Sequence, residues 1–569
     1  MNTIERRKFL QVSALGLVAG STATADGLVP VEPQKKVNAS VQNEVDVLVV
    51  GGGTAGVIAA IQAARAGAKT MVVERGAQLG GTTTTGGVAW PGLFDAWGKQ
   101  VIAGIGWELV KESVELDGGR IPDFAKVPAK HYHNQVPVNQ FLYALLAEEK
   151  CEAAGVEIAY YEFPTEVIKT SDGWTVKCAG FGTERTVNCK QIVDTTGGAE
   201  VVGLMGGERL REAETQPGSY LFMIGKDLDA GRAQCQRLYV HGADSTNSRT
   251  VTRANLTGRK SVLARLRSAI QKHGHVQLQH LQPETSFRES YRILGETVIT
   301  VNDYTSGKQF EDAICNAFYP VDLHTKTGVR PKKLKPGVIP TVPLSALVPK
   351  DSSNVLVAGR CVSSDRLANS GLRVQASCMA MGQAAGAAAA LAVQKQLTPG
   401  ALPLDELKAL LKEHGAILAG ESMTVQASEA EGDAVTASSG SGLLFDAGAA
   451  AAVGVWKKGN SKATIGSSYL HDDNQGKGAK SLTFTIPVTE PGSYAIRFHY
   501  NTHTTRSSCT PVSVKIGGKV HTFSVDQRQS DGRGFVLGTF DIQDRAIVTI
   551  SNDGTDGHVI ADGLELIKK

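Results

Sequence analysis

The sequence predicts an α/β fold with an α+β segment inserted into it, followed by a separate all-β sandwich. The α/β assignment comes from a buried strand pattern, a glycine-rich turn and an alanine-rich helix pattern that follow one another from Val45. The region from about 205 to 335 mixes helix and strand patterns, which predicts the insertion. Six short strand patterns separated by Gly, Asp and Asn turns lie beyond residue 443, and this spacing is typical of a sandwich.

Composition limits the classes of protein to consider. A chain of 569 residues is long enough for three or four domains. Its net charge of +3 is too small to predict a nucleic-acid partner. Eight cysteines without a C-x-x-C pair predict neither a disulfide scaffold nor a zinc ribbon, although individual disulfides stay open. We expect no metal site.

The N-terminus has the pattern of an export signal. Arg6 and Arg7 precede a run of about a dozen mostly apolar residues, and Ala23-Thr24-Ala25 offers a cleavage site. The paired arginines followed by Phe-Leu resemble the twin-arginine (Tat) signal. We therefore expect a periplasmic or extracellular protein; the alternative is a disordered cytosolic tail with a chance arginine pair. No later segment is expected to reach membrane-spanning length, so no transmembrane anchor is expected.

The glycine-rich turn has the context of a dinucleotide-binding, Rossmann-like unit. Gly51, Gly53 and Gly56 form a G-x-G-x-x-G pattern directly after the strand Val45–Val50, and a helix pattern follows. Glu74 ends the next strand pattern, where an acidic residue accepts hydrogen bonds from ribose hydroxyls. The helix N-terminus supplies N–H groups for phosphates. The alternative is a purely structural turn in an α/β sheet.

Four short runs between residues 156 and 188 predict a small antiparallel meander. They are Val156–Tyr161, Thr165–Lys169, Trp174–Ala179 and Arg185–Asn188. The predicted segments of the chain are a signal peptide (1–25), a linker (26–43), the first part of a dinucleotide-binding domain (44–204), a substrate or cap domain (205–335), the second part of the dinucleotide-binding domain (336–420), a linker (421–442) and the sandwich (443–569).

Several blocks carry a resemblance to known flavoproteins. Leu79–Thr84, Ile192–Gly198 and Asn354–Arg360 resemble segments of the glutathione-reductase-like superfamily, whose members bind FAD. A further set resembles the bacterial FAD-dependent oxidoreductase family in the family's order, over roughly residues 44–415. Its blocks are Arg288–Ile293, Tyr319–His324 and the helix pattern Gly371–Gly386.

The resemblance implies FAD as cofactor and a set of residues that contact it. Those implied for the ADP half and the adenine are Gly51, Gly53, Thr54, Ala55, Gly56, Glu74, Arg75, Gly81, Thr82 and Val167. Those implied for the second strand turn and the flavin are Gly197, Gly359, Arg360 and Val374. The helix after Arg373 is expected to direct its N-terminal end toward the pyrimidine side of the flavin, where a positive dipole stabilises negative charge.

Candidate groups for substrate binding or acid–base chemistry are polar residues in the resembling blocks and elsewhere. They are His131, His133, Arg288, Arg292, His324 and Arg373. For each one, the alternative is a surface charge or a structural histidine. Arg288 and Arg292 also have i, i+4 helix spacing, so that pairing with Glu289 or Glu296 is a second alternative.

The sequence lacks a second strand–G-x-G-x-x-G–helix unit, which predicts that no NAD(P)H domain is present. The organic substrate itself is then the reductant, as in a dehydrogenase or oxidase, and the electron acceptor stays open. The substrate is expected to be a small molecule or sugar derivative. Two alternatives are an isomerase or hydratase with structural FAD, and a non-catalytic binding protein on a flavoprotein scaffold.

The C-terminal region resembles the golvesin/xanthan-lyase carbohydrate-binding-like domain, through Ser468–Gly478 and Ser551–Asp562. That resemblance implies binding of polysaccharide or cell-envelope material. Candidate residues for stacking on sugar rings are Trp456, Tyr469 and Tyr500, and candidate calcium ligands are Asp472, Asp473 and Asp553. Core packing of the aromatic residues and metal-free turns are the favoured alternatives.

Overall fold

The structure is a computed structural model. It describes residues 39–128, 131–225, 234–325, 328–329, 331–423, 442–459, 469–488, 490–529 and 534–569. The predicted signal peptide and most of the two predicted linkers lie outside the described residues. The described end of the first predicted linker, residues 39–43, is not a linker but the start of a strand that runs from Ala39 to Val50.

The described residues form helices and strands with the following bounds. The α-helices are α1 (Thr54–Arg65), α2 (Ile105–Leu116), α3 (Gln140–Ala153), α4 (Glu200–Leu204), α5 (Ser248–His273), α6 (Val301–Ser306), α7 (Arg366–Leu372), α8 (Gln375–Lys395) and α9 (Leu404–Glu413). The 3-10 helices are His131–Asn134, Leu344–Ala346, Pro399–Ala401 and Ala447–Ala449.

The strands before residue 420 are β1 (Ala39–Val50), β2 (Thr70–Glu74), β3 (Asp95–Ala96), β4 (Lys99–Gln100), β5 (Glu157–Tyr160), β6 (Phe163–Lys169), β7 (Trp174–Gly180), β8 (Thr183–Asp194), β9 (Arg209–Leu210), β10 (Gly218–Gly225), β11 (Gln234–Val240), β12 (Gln277–Leu281), β13 (Arg292–Ile293), β14 (Ala313–Asn316), β15 (His324–Thr325), β16 (Gly328–Val329), β17 (Thr341–Pro343) and β18 (Val355–Val357). The later strands are β19 (Gly442–Asp446), β20 (Ala451–Val453), β21 (Lys457–Gly459), β22 (Tyr469–His471), β23 (Ser481–Pro487), β24 (Gly492–His499), β25 (Thr510–Ile516), β26 (Lys519–Val525), β27 (Phe535–Ile542), β28 (Arg545–Ser551), β29 (Ile560–Ala561) and β30 (Gly563–Lys568).

A parallel sheet with the strand order β5-β2-β1-β8-β18 lies at the centre of the first region. Alternate residues of β1 pack into two separate apolar clusters. Val47 and Val49 lie in one cluster, and Leu48 and Val50 lie in the other. The sheet is therefore covered on both faces, which is why β1 reads as a continuous apolar run. This arrangement confirms the predicted α/β class.

The predicted four-stranded meander is wrong for its first strand and confirmed for the other three, which form the antiparallel strands β6, β7 and β8. The first run forms β5, which pairs in parallel with β2 instead of joining the antiparallel strands. The last run, Arg185–Asn188, is the middle of the 12-residue strand β8. The first half of β8 pairs with β7 and its last residues pair with β18, so one strand belongs to both the meander and the parallel sheet.

Helices α1 and α8 pack closely and in parallel on one face of the sheet. A Cβ atom at Gly382 would lie 2.2 Å from the Ala55 carbonyl oxygen, and one at Gly386 would lie 2.3 Å from the Ala59 carbonyl oxygen. Real Cβ atoms do not approach that closely, so glycine is required at both positions of α8. The constant register of these two contacts shows that the helices run in the same direction.

Helix α8 is also long and apolar enough to cross a bilayer, by length and composition alone. Its 18-residue window has a mean hydropathy of 1.4, and 89% of that window is buried inside the protein. The expectation that no later segment reaches membrane-spanning length is therefore wrong for this helix. Its burial against α1 and the sheet is that of a core helix.

The inserted region forms an antiparallel sheet in the order β11-β10-β12, and α5 packs on it. Tyr220 and Phe222 from β10, together with Ala254 and Val262 from α5, form its small apolar core. Mixed helix and strand in this region agrees with the predicted α+β class.

The C-terminal region consists of antiparallel sheets, as predicted for a sandwich. One sheet has the order β19-β30-β24-β27 and another has the order β20-β23-β28-β25-β26. Phe484 and Val514 from the second sheet share one apolar core with Ile496 and Phe498 from the first. The two sheets therefore pack face to face.

Substitution Gly382→Ala tests the close packing of α1 and α8. Its added Cβ collides with a backbone oxygen in a packed core, so we expect a loss of roughly 1–3 kcal/mol in the free energy of unfolding, measured by denaturant titration. Gly400→Ala is the matched control, because its Cβ meets Glu296 only at an ordinary distance of 3.5 Å. Equal stability of the two variants would contradict the packing.

Candidate functional site

At two positions of the glycine-rich turn between β1 and α1, backbone atoms fill the space that a side chain would need. Gly51 has a φ of +99°, and a Cβ there would lie 2.8 Å from the Thr195 carbonyl oxygen. A Cβ at Gly56 would lie 1.8 Å from the Gly51 carbonyl oxygen. At Gly53, by contrast, a Cβ would meet nothing within 4 Å. The turn is therefore narrow, and it has open space at Gly53.

The N-terminus of α1 is uncapped. Gly53 occupies the N-cap position without a side-chain hydrogen bond, and the first turn carries no acidic residue. The N–H groups of Thr54, Ala55 and Gly56 therefore lack a capping side chain, and the positive end of the helix dipole is not neutralised locally. Such a terminus is suited to a phosphate group.

Glu74 lies at the end of β2, beside this turn. Its carboxylate accepts hydrogen bonds from the Gly52 and Gly76 N–H groups, each at 2.7 Å. Burial raises its pKa, against the effect of those two hydrogen bonds. Each carboxylate oxygen keeps a second lone pair that can accept from a ribose hydroxyl. The neighbouring Arg75 is exposed.

A second glycine pair covers the turn. The Gly80 N–H donates to the Gly52 carbonyl at 2.8 Å. A Cβ at Gly81 would lie 2.8 Å from the Gly53 Cα, so the segment that includes Gly81 and Thr82 lies directly against the start of α1. The backbone of this segment and the backbone of the turn therefore form one continuous surface at the start of α1.

The N-terminus of α8 is the second uncapped helix end. Val374 is its N-cap residue and provides no side-chain hydrogen bond, and no acidic residue lies in the first turn. Helix α8 begins seven residues before Gly382, and Gly382 packs against Ala55 in the first turn of α1. At a rise of 1.5 Å per residue, the start of α8 therefore lies about 10 Å beyond the start of α1 along the helix axes. Gly359 has a φ of +98°, and its Cβ position is 3.4 Å from the Ala55 Cβ.

The remaining predicted cofactor residues lie along the carboxyl ends of the strands or on the meander. Arg360 donates to the Gly197 carbonyl at 2.8 Å and to the Phe287 carbonyl at 3.1 Å, and burial lowers its pKa. Gly197 has a φ of +76° at the turn after β8. Val167 lies half-buried in β6, where it pairs with Val176.

This arrangement fits FAD. A dinucleotide has a pyrophosphate for the uncapped α1 N-terminus and open space at Gly53, and ribose hydroxyls for Glu74. The α8 N-terminus provides a positive dipole end about 10 Å farther on, which suits a ring that becomes negatively charged. The residues that would hold FAD are therefore those of the turn, Glu74 and the two helix ends.

A polar cluster, here called the inner cluster, adjoins the start of α8. It consists of Tyr239, Arg288, Asp322, His324 and Arg373. The Arg373 guanidinium donates to the Asp322 carbonyl at 3.3 Å, and the His324 ring lies 5.7 Å from the Tyr239 ring. The Arg288 guanidinium carbon is 5.4 Å from the centre of the Tyr239 ring. Three of the six predicted catalytic residues therefore meet here.

Asp322 and His324 form a dyad within the inner cluster. The Asp322 carboxylate lies 3.0 Å from His324 Nε2, and His324 Nδ1 is buried without a hydrogen-bond partner among the described residues. Burial lowers the pKa of His324, although the Asp322 hydrogen bond opposes this effect. The ring is therefore neutral near pH 7, with its proton on Nε2 toward Asp322 and a lone pair on Nδ1.

The other predicted catalytic residues lie elsewhere. Arg292 is buried in β13, not in a helix, and forms a two-point ion pair with Glu212 at 2.7 and 3.0 Å. The alternative partners Glu289 and Glu296 are wrong for it as well. His133 is exposed on the 3-10 helix His131–Asn134 and contacts the Tyr132 ring. The side chain of His131 lies outside the described residues.

The sequence did not single out Asp322, Tyr239 or Tyr319 for chemistry. Asp322 and Tyr319 lie in the block Tyr319–His324, which resembles the family. That resemblance was the signal in the sequence that could have identified them. Tyr239 comes from β11 of the inserted region, and only the fold brings it to the cluster. Burial raises the pKa of Tyr319 to about 12, so it stays neutral there.

A cavity of about 230 Å³ adjoins the inner cluster. Its lining includes His324, Thr325, Thr215, Arg366 and Pro217, whose carbonyl accepts a hydrogen bond from Arg288. A cavity of about 150 Å³ is enough for benzene, so this one has room for a small organic molecule.

The C-terminal candidates lie mostly in the protein interior. Tyr469 and Tyr500 are buried in the sandwich core, and Trp456 packs against it. Asp472 is fully buried, and its carboxylate accepts hydrogen bonds from Lys477 and Asn552, so it is a structural group. Among the described residues, no group of three or more acidic, His or Cys side chains is arranged to hold a metal ion.

Two family models match the chain. Residues 46–217 and 207–411 match the family described as FAD dependent oxidoreductase, and residues 445–568 match the Golvesin C-terminal domain.

Similar proteins cover parts of the chain. A xanthan lyase of Bacillus sp. (strain GL1) is 35% identical over 120 residues, which is 20% of this chain and 13% of that protein. A thiamine thiazole synthase of Methanococcus aeolicus is 28% identical over 161 residues, which is 27% of this chain and 55% of that protein. The chain thus spans less than two thirds of either relative. Among solved structures, the OxyS anhydrotetracycline hydroxylase from Streptomyces rimosus is 15% identical with a TM-score of 0.36, covering 65% of this chain and 66% of that one.

Proposed function

The chain belongs to the FAD dependent oxidoreductase family, and on this premise we propose that it is an exported dehydrogenase or oxidase of an organic, carbohydrate-related substrate. FAD is its cofactor and supplies the hydride acceptor, flavin N5. The proposal is carried by the Asp322–His324 dyad, in which a neutral imidazole that lines the cavity keeps a lone pair on Nδ1 without a hydrogen-bond partner among the described residues. That arrangement is suited to removing a proton from a substrate hydroxyl.

The oxidation of an alcohol separates two particles that need different acceptors. The substrate carbon loses a hydride, with both electrons of the C–H bond, and the hydroxyl group loses a proton. In our proposal His324 Nδ1 accepts the proton, and the substrate leaves as a carbonyl compound. Asp322 accepts the Nε2–H hydrogen bond, fixes the orientation of the ring and stabilises the imidazolium that forms.

Positive charge around the start of α8 supports the same reaction. The helix N-terminus carries the positive end of the dipole, and Arg373 directly precedes it. Fixed positive charge favours any step in which negative charge develops next to it, without reorganisation of solvent. The inner cluster and this helix end thus provide an acceptor for the proton and a favourable field for the electron pair.

Export and polysaccharide binding complete the proposal. The paired arginines Arg6 and Arg7 before an apolar run support export through the Tat route to the periplasm or beyond. The match of residues 445–568 to the Golvesin C-terminal domain, and the likeness to a xanthan lyase, support polysaccharide binding by the sandwich. The electron acceptor that reoxidises the cofactor is not assigned.

Substitution His324→Gln tests the role of the dyad. We expect the rate of flavin reduction by substrate, followed as the loss of flavin absorbance in anaerobic stopped flow, to fall by roughly 10²–10⁴-fold. The FAD content and the reduction by dithionite should not change. In the unsubstituted protein the rate should fall as the pH decreases through the pKa of His324, which burial holds below its usual value of 6.5, because only the neutral ring accepts a proton.

His273→Gln is the matched control, since His273 is exposed at the end of α5. A panel of alcohols, sugars and hydroxy acids serves to find the reducing substrate. If dithionite reduces the flavin but no member of the panel does, the result would contradict the proposal and favour an isomerase or hydratase. An unchanged rate in His324→Gln would exclude His324 as the base.

Polysaccharide binding is tested by co-sedimentation with insoluble polysaccharides and cell-wall preparations. We expect the full chain to sediment with at least one of them, and a chain ending at residue 423 to stay in the supernatant, because the sandwich is then absent. Retention of FAD by the shortened chain is the control for its folding. Equal sedimentation of both chains would contradict a role of the sandwich in binding.

A further inference from the structure

The inner cluster carries one more positive charge than negative charge, because it holds two guanidiniums, those of Arg288 and Arg373, and one carboxylate, that of Asp322. At the edge of the cluster, Arg366 is matched by the carboxylate of Glu289, and Glu214 also adds negative charge beside it. Arg366 and Glu289 form a two-point ion pair at 2.6 and 3.1 Å. His324 is neutral. The carboxylate of Asp322 acts on both Arg288 and Arg373, and the ion-paired Glu289 also acts on Arg373. Neither Arg288 nor Arg373 forms an ion pair with a carboxylate among the described residues.

The hydrogen bonds of the two arginines show the same imbalance. Arg288 donates to neutral acceptors, the Pro217 carbonyl and, at 2.9 Å, the Ser219 hydroxyl. Within the part of the chain that the structure describes, Arg373 donates only the long bond of 3.3 Å to the Asp322 carbonyl, and its Nε is buried without a partner. Burial, together with the charge of Arg373, lowers the pKa of Arg288 to about 9. Desolvated charges of this kind are costly unless an anion joins them.

From this geometry we infer that the substrate carries a carboxylate, which the Arg288–Arg373 pair binds while the carbon to be oxidised lies beside His324 Nδ1. The planar guanidinium matches a carboxylate through two parallel hydrogen bonds. A single leftover positive charge suits a monoanion better than a phosphate dianion. The inference rests on the proposed function and narrows its substrate class to hydroxy acids, acidic sugars included.

Two neighbouring features support this assignment. The guanidinium carbons of Arg288 and of the exposed Arg237 both lie over the ring of Tyr239, at 5.4 and 5.3 Å from its centre, so Tyr239 contacts Arg288 and Arg237 adds positive charge nearby. The cavity of about 230 Å³ beside His324 has Thr215 and Thr325 in its lining, and their hydroxyls suit the hydroxyl groups of an acidic sugar.

The experiment compares carboxylates with neutral molecules of similar shape on the FAD-loaded protein. The pairs are propionate with propionamide, benzoate with benzamide, and D-glucuronate with D-glucose, at constant ionic strength. Binding is measured by thermal stabilisation and by the change in flavin absorption. We expect at least one carboxylate to bind at least tenfold more tightly than its neutral partner.

Variants then assign the effect to the arginine pair. Arg288→Gln should raise the Kd of the carboxylate at least tenfold, and Arg288→Lys, which keeps the charge but loses the planar contact, should give an intermediate value. Arg249→Gln, at an exposed position of α5, is the control for overall charge and should leave the Kd unchanged. FAD content near that of the unsubstituted protein shows that each variant is folded.

The outcomes separate the inference from the proposed function. A yellow protein that is reduced by a neutral substrate and binds no carboxylate preferentially contradicts the inference and leaves the proposed function intact. An unchanged Kd in Arg288→Gln also contradicts the inference. A colourless protein contradicts the proposed function, and thermal stabilisation by the same carboxylate pairs still decides whether the arginines bind an anion.

Discussion

The close contact between α1 and α8 is the constraint on which the rest of the site depends. Gly382 and Gly386 allow the two helices to run in parallel with backbone in contact with backbone. This contact sets the two uncapped N-termini about 10 Å apart along the helix axes. One end faces the glycine turn and Glu74, and the other carries Arg373 and the inner cluster. Cofactor binding and substrate chemistry are thus positioned by a single helix pair.

Local patterns predicted the cofactor half of the molecule well, because its elements follow one another in the chain. The strand pattern, the glycine turn and Glu74 all lie within 30 residues, and the structure has β1, α1 and β2 in that order. The length of β1 was not predictable in the same way. It begins at Ala39 because its first residues pair with β8, and that pairing depends on a strand more than 140 residues away.

The substrate half was only partly predictable. Arg288, His324 and Arg373 were named as candidates, but their meeting with Asp322 depends on how the inserted region folds onto the strands. Arg292 shows the limit most clearly: its spacing from Arg288 suggested a helix, whereas it lies in β13 and pairs with Glu212, which is 80 residues away. The sequence does not show whether a charged side chain contacts solvent, an oppositely charged side chain or a substrate.

The visible absorption spectrum of the protein purified after native expression tests the central claim most directly, because the claim is that the two helix ends hold FAD. The account predicts the two-band spectrum of a flavin at close to one equivalent per chain. It also predicts that the spectrum is lost when α1 and α8 are forced apart. A protein that is colourless, and stays so after incubation with FAD, would contradict the account.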